Sequence, residues 1–130
     1  DTNIASGSAI VIDTTAPTIT SFTSTTSNGS YKSAGEVNIT ATASEFVVAT
    51  NTITATLDTS DNVTLTAAAN GTTLVGTYTV GAGDNSNDLT VSSFSIGTVT
   101  DIAGNAMSGT AVPDTNIASG SAIVIDTTAP

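Results

Sequence analysis

The sequence predicts an all-β protein, an antiparallel β-sandwich of about seven strands with Greek-key connections. Three observations lead there. Apolar residues alternate with Thr and Ser at a period of two along most of the chain, no helical period persists for more than a few residues, and turn-forming clusters interrupt the alternation at short intervals. A single open sheet would leave one face of so many apolar alternations in water, so two sheets packed face to face are expected.

The strands follow in order. SAIVID, at residues 8–13 and again at 121–126, is apolar on both faces, as suits a strand in the sandwich core. In EVNITATA, Val37, Ile39, Ala41 and Ala43 share one face. TITATL points Ile53, Ala55 and Leu57 inward, and NVTLTA does the same with Val63, Leu65 and Ala67. TLVGTYTV places Leu74, Tyr78 and Val80 together, with Gly76 leaving room for a close neighbour. In DLTVSSFSI, Leu89 and Val91 are in phase but Phe94 and Ile96 are not, which predicts a bulge or kink at Ser92 and Ser93. The expected core includes Val37, Ile39, Ile53, Leu65, Leu74, Tyr78, Leu89 and Phe94. Of the five aromatic residues, Phe22, Phe46, Phe94 and Tyr78 fit core positions and Tyr31 looks free in its loop.

The first seventeen residues, DTNIASGSAIVIDTTAP, recur unchanged at 114–130, a period of 114 − 1 = 113 residues. That period has the size of one whole domain. The expected organisation is a tandem array: residues 1–13 are the last strand and linker of a preceding repeat, 14–126 one complete repeat, and 127–130 the start of the linker to the next. Neighbouring identical repeats are the expected partners. The strand at residues 8–13, separated from its own domain, is expected to extend away from the body or to exchange with another copy, in an otherwise monomeric domain.

Composition narrows the chemistry. The chain has no Cys and no His, which removes disulfides, thiolate sites, and the commonest general base and transition-metal ligand. Carboxylates, amides and carbonyls remain, and these suit hard cations. Eleven acidic residues against one base, Lys32, give a net charge of −10, so nucleic acid and anionic membranes are poor partners. The charge reads either as colloidal solubility or as carboxylates balanced by bound cations. No apolar run is long enough for membrane insertion. No nucleophile with its base is in evidence, so no enzyme is expected.

Three phrases, VIDTTAPTIT, ATASEFVV and TVTDIAGNAMS, taken in this order and spacing, resemble the bacterial Ig-like repeats of giant secreted adhesins. The resemblance spans essentially the whole period. It implies an Ig-like sandwich acting as an extender in a calcium-dependent, RTX-type biofilm or ice-binding adhesin, exported by type I secretion to the bacterial cell surface. It also implies Ca2+ at and near domain junctions, which rigidifies the string.

In such a sandwich the linker, the loop after the second strand and the loop before the last strand meet at one pole, which would gather Asp13, Glu45 and Asp101. Crowded carboxylates repel unless a cation neutralises them, and Ca2+ takes oxygens of this kind. Each has a plainer alternative. Asp13 can start an Asx turn, Glu45 can be an exposed strand-end carboxylate, and Asp101 with Asn105 can cap the loop around Gly104. Asp126 is the next linker's equivalent of Asp13. Asp84, in GAGDNSND, is also a candidate ligand, with a simple polar turn as its alternative. The candidate metal ligands are therefore Asp13, Glu45, Asp101, Asn105, Asp126 and Asp84. The competing function is a glycan- or protein-binding Ig-like module, which needs exposed aromatics for stacking.

Overall fold

The computed structural model describes residues 10–129. Its strands are β1 (Ile19–Thr23), β2 (Gly29–Tyr31), β3 (Glu36–Val47), β4 (Thr52–Leu57), β5 (Asn62–Thr66), β6 (Gly71–Thr79), β7 (Asn85–Ser86), β8 (Val91–Thr98) and β9 (Ile123–Asp126), with one helical turn, α1 (Ile117–Gly120), before β9. Six strands hydrogen-bond in the order β1-β3-β6-β5-β4-β8, and three more in the order β2-β9-β7.

The six-strand ladder folds over on itself. β1 and β8 lie at its two ends, yet Phe22 of β1 and Phe94 of β8 meet edge to face with ring centroids 5.5 Å apart. The fold line is the β5–β6 step, where only Thr66 and Val75 align, against eight aligned pairs between β3 and β6. Each strand is buried on one face, so folding brings the two apolar faces together as a sandwich core.

The alternation read from the sequence sets this core. Val37, Ile39, Ala41 and Ala43 of β3, Ile53, Ala55 and Leu57 of β4, and Leu74, Tyr78 and Val80 on β6 and just after it are all buried, as are Leu65, Leu89 and Phe94. A Cβ on Gly76 would run into the Thr64 carbonyl oxygen and stand 2.8 Å from Leu65 Cδ2, so the glycine permits the close crossing of β5 and β6. The bulge falls where expected: Thr56 pairs with Ser93 and Leu57 with Val91, leaving Ser92 out of the ladder.

The structure departs from the sequence reading in four places. Two short strands, β2 and β7, arise inside segments read as turns, because β9 needs a hydrogen-bonding neighbour on each side. The β2–β9 pair is parallel, unlike the rest. The loop before β9 contains α1, whose N-cap Asn116 accepts from Val91 N at 3.0 Å and donates to Val91 O at 2.9 Å. Finally, Phe46 is 57% exposed and Tyr31 half-buried, with its hydroxyl donating to Ser27 O. Phe46 is out of phase with the inward series of β3, and that phase holds to the strand's end.

Of the expected strand at 8–13, residues 8 and 9 lie outside the described residues. Ile10, Val11 and Ile12 are exposed and belong to no strand.

Candidate metal centre

One pole of the sandwich collects Asp13, Glu45 and Asp101, each offering a carboxylate oxygen within 4.8 Å of the others. Three separate segments supply them. Glu45 continues the inward phase of β3 past Ala43, at the rim where the core gives way to solvent. Asp101 is held beside the end of β3 by an antiparallel bridge to Val47 and by donation from Val48 N to Thr100 O at 3.1 Å. The segment that carries Asp13 docks through Ser44, whose N–H donates to Thr18 O at 2.8 Å and whose Oγ accepts from Thr18 N at 3.0 Å.

Asp101 is 1% exposed and sits in a tight turn. Its N–H donates to Asn105 O at 3.0 Å and its carbonyl accepts from Gly104 N at 3.1 Å, with Gly104 at φ +98°, a value that favours glycine. Both carboxylate oxygens are engaged by Asn105: Oδ1 accepts from its N–H and Oδ2 from its Nδ2, each at 2.8 Å. The same Nδ2 donates to Asp13 O at 2.7 Å. Asn105 thus presents its nitrogen to the cluster and braces the carboxylates. Asp13 Oδ1 accepts from Thr15 N at 3.0 Å, so the Asx turn and the cluster coexist in one residue.

The charge states reflect this crowding. Desolvation, then the charges and hydrogen bonds of Asp13 and Asp101, push the Glu45 carboxyl above its ordinary value. For Asp101, desolvation acts upward but is outweighed by the hydrogen bonds from Asn105 and Gly104 and from a shared contact with Asp13, so the net shift is downward. A shared proton, or a cation, relieves such a cluster.

The three carboxylates could hold a metal ion: at a metal–oxygen distance of about 2.4 Å, two ligands of one ion stand at most about 4.8 Å apart, and an all-oxygen donor set is of the kind hard cations take.

The remaining candidates lie at the opposite pole. β4 runs from Thr52, paired with Thr98 near Asp101, to Leu57 at the far end, and Tyr78 and β9 end there too. Asp84 Oδ2 accepts from the Tyr78 hydroxyl at 2.7 Å and from Gly81 N at 2.8 Å. A hydrogen bond shared with Asp84, with burial adding to it, raises the Asp61 carboxyl, and the same bond lowers that of Asp84. Asp126 is exposed at the end of β9 and accepts from Thr128 N at 3.0 Å, repeating the Asp13–Thr15 turn.

Asn51 is the residue that sequence reasoning missed. Nearly buried, its Oδ1 accepts from Val48 N at 3.2 Å and Thr100 N at 2.9 Å, which fixes the strand leading into Asp101 against the loop after β3. An Asn standing just before a β-branched run was the available signal. Comparison of the chain with protein-family models, with curated proteins and with solved structures finds no match to any of them.

Proposed function

We propose that this chain is one period of a tandem array and serves as a structural extender of a large secreted cell-surface adhesin, without catalysis, stiffened by Ca2+ at the junctions between repeats. The observation that carries the reading is the placement of Asp13, which belongs to the duplicated linker, among carboxylates of the domain body. Asp126 stands one period later in the same Asx turn. It is therefore the carboxylate that would complete the same triad in the next repeat. A cation held there would tie linker to loop and remove the freedom of a five-residue connection. The adhesin, its export by type I secretion and its place at the bacterial surface rest on the resemblance of the three motifs.

The test is a two-repeat chain, residues 1–126 followed by a second copy of 14–126, measured by small-angle X-ray scattering. It should lengthen and stiffen with millimolar Ca2+, and Asp126→Ala in the first repeat should abolish the change. Equal extension in chelator would remove calcium from the mechanism.

A second reading, a glycan- or protein-binding module, has in its favour the exposed ring of Phe46, one residue on from Glu45, since an exposed aromatic face suits stacking on a polar ring-shaped ligand. Binding of a single repeat to a glycan in Ca2+, lost on Phe46→Ala, would support it.

A further inference from the structure

The pole that carries the triad also carries an apolar patch. Phe46 and Ile102 are 57% and 58% exposed, and each is the chain neighbour of one residue of the antiparallel Val47–Asp101 bridge, Phe46 preceding Val47 and Ile102 following Asp101. A shallow groove at Ile102 is lined by Val11, Asp13, Ile102 and Ala103. Residues 10–13 repeat the sequence of β9, for Ile10–Val11–Ile12–Asp13 equals Ile123–Val124–Ile125–Asp126, and on the tandem-array reading they end the last strand of a preceding repeat. The residue lining this groove is therefore the counterpart of Val124, which is half-buried on the outer face of β9.

Such a strand does not arrive alone. In its own repeat β9 is flanked by β2 and β7, about 4.8 Å away on either side. A linker that brings β9 to this groove brings the ends of β2 and β7 with it. The parallel register aligns Tyr31 with Ile125, so the next residues on the two strands are Lys32 and Asp126, both exposed. Lys32 is the single basic residue of the chain. A lysine side chain reaches about 6 Å, enough to span the gap from β2 to carboxylates gathered around the Asp126 position.

We propose that successive repeats dock pole against pole: Val124 and the ends of β2 and β7 of one repeat cover Phe46, Ile102 and Ala103 of the next, and Lys32 pairs with the next repeat's Glu45, the triad carboxylate that stands at the rim. The occupant of the patch is thus a second copy of this domain. The inference rests on the tandem-array reading but not on calcium. Lys32 supplies a counter-charge to Glu45 that needs no metal, so the junction is ordered in chelator.

The two-repeat chain described above, studied in chelator by backbone NMR relaxation, tests this. Docked repeats share one rotational correlation time. Lys32→Glu in the first repeat, or Phe46→Ser in the second, should release each repeat to tumble with the shorter time of a single domain, and Lys32→Glu combined with Glu45→Lys in the second repeat should restore common tumbling. Lys32→Glu and Phe46→Ser in the single repeat control for folding, since both side chains are exposed, and should move its Tm by no more than about 2–4 °C. Independent tumbling of the wild-type pair in chelator, or variants that leave the correlation time unchanged, overturns the docking even where Ca2+ lengthens the chain. Released variants in a pair that does not respond to Ca2+ leave the docking standing and remove the calcium mechanism.

Discussion

Asn105 donates its side-chain amide to the main-chain carbonyl of Asp13 at 2.7 Å, across 92 residues of sequence. This bond joins the Asp13 segment to the body of the domain. It also shares its donor with Asp101 Oδ2, so one amide positions two members of the triad. Asn105→Ala should lower the melting temperature in chelator by several degrees and loosen the linker, read as faster hydrogen exchange at Thr15. Asn105→Asp should be worse in chelator, because it adds a fourth carboxylate facing Asp101, and should recover with Ca2+, which the alanine variant should not. Unchanged exchange at Thr15 in both variants would show that the linker is held by Ser44 alone.

Glu45 gives a pH dependence whose sign is fixed by its surroundings. Its folded pKa lies above the ordinary 4.5, from desolvation and then from Asp13 and Asp101. Stability linked to it is fully present below the unfolded value and is lost as pH rises through the raised one. Asp101 acts oppositely: its pKa lies below 3.8, so its contribution is present above that value and is lost as pH falls through the lowered one. Glu45→Gln should therefore raise the melting temperature in chelator at neutral pH. It should also abolish the gain from Ca2+, which for an ion binding only the folded state is about 2.7 kcal/mol at a hundredfold excess over Kd. Melts at pH 4 and pH 7, with and without Ca2+, separate the two effects.

Much of this pole was legible in β3. A strict period of two from Val37 to Val47 puts Glu45 inward and Phe46 outward, so one parity count contains both the buried-side carboxylate and the exposed ring. Hydrophobicity alone, applied to Phe46 without the count, gives the wrong face. The kink at Ser92 was legible for the same reason, as a break in parity. β2 and β7 were not legible. At three and two residues they carry no periodicity, and they exist only because β9 offers them an edge. Asn51 escaped notice, and Asn105 stood both as a metal ligand and as a cap of the Gly104 loop, because the direction of an amide is decided by tertiary partners, which spacing does not reveal.

Tyr78 anchors the opposite pole. Its ring is buried, burial pushes its hydroxyl pKa far above the ordinary value, and that hydroxyl donates to Asp84 Oδ2 at 2.7 Å. Tyr78→Phe keeps the ring and deletes the bond, so it should cost about 1 kcal/mol, a neutral-bond figure chosen because the acceptor is partly solvated. The calcium response should stay unchanged, since the triad lies at the other end of the sandwich. A lost response in this variant would place a functional ion at Asp84.

The duplicated segment supplies an internal control that few proteins offer. Ile12 and Ile125 occupy the same sequence context one period apart, yet Ile12 is 79% exposed and Ile125 is 1% exposed, packed in β9 between β2 and β7. Intrinsic propensity is identical at the two sites, so any difference in the effect of substitution is due to packing. Ile125→Ala removes a buried side chain and leaves a cavity, and should lower stability by about 2–5 kcal/mol. Ile12→Ala in the same chain should stay within about 0.5 kcal/mol, as exposed positions do. Chemical denaturation of the two variants side by side measures this difference directly. In the two-repeat chain the Ile125 position of the first repeat is also the residue before the junction, and there the substitution should destabilise the first repeat while the second keeps its own midpoint. Equal losses at Ile12 and Ile125 in the single chain would mean that the first copy is packed against this domain, and the boundary between repeats would have to move from Asp13 toward the amino terminus.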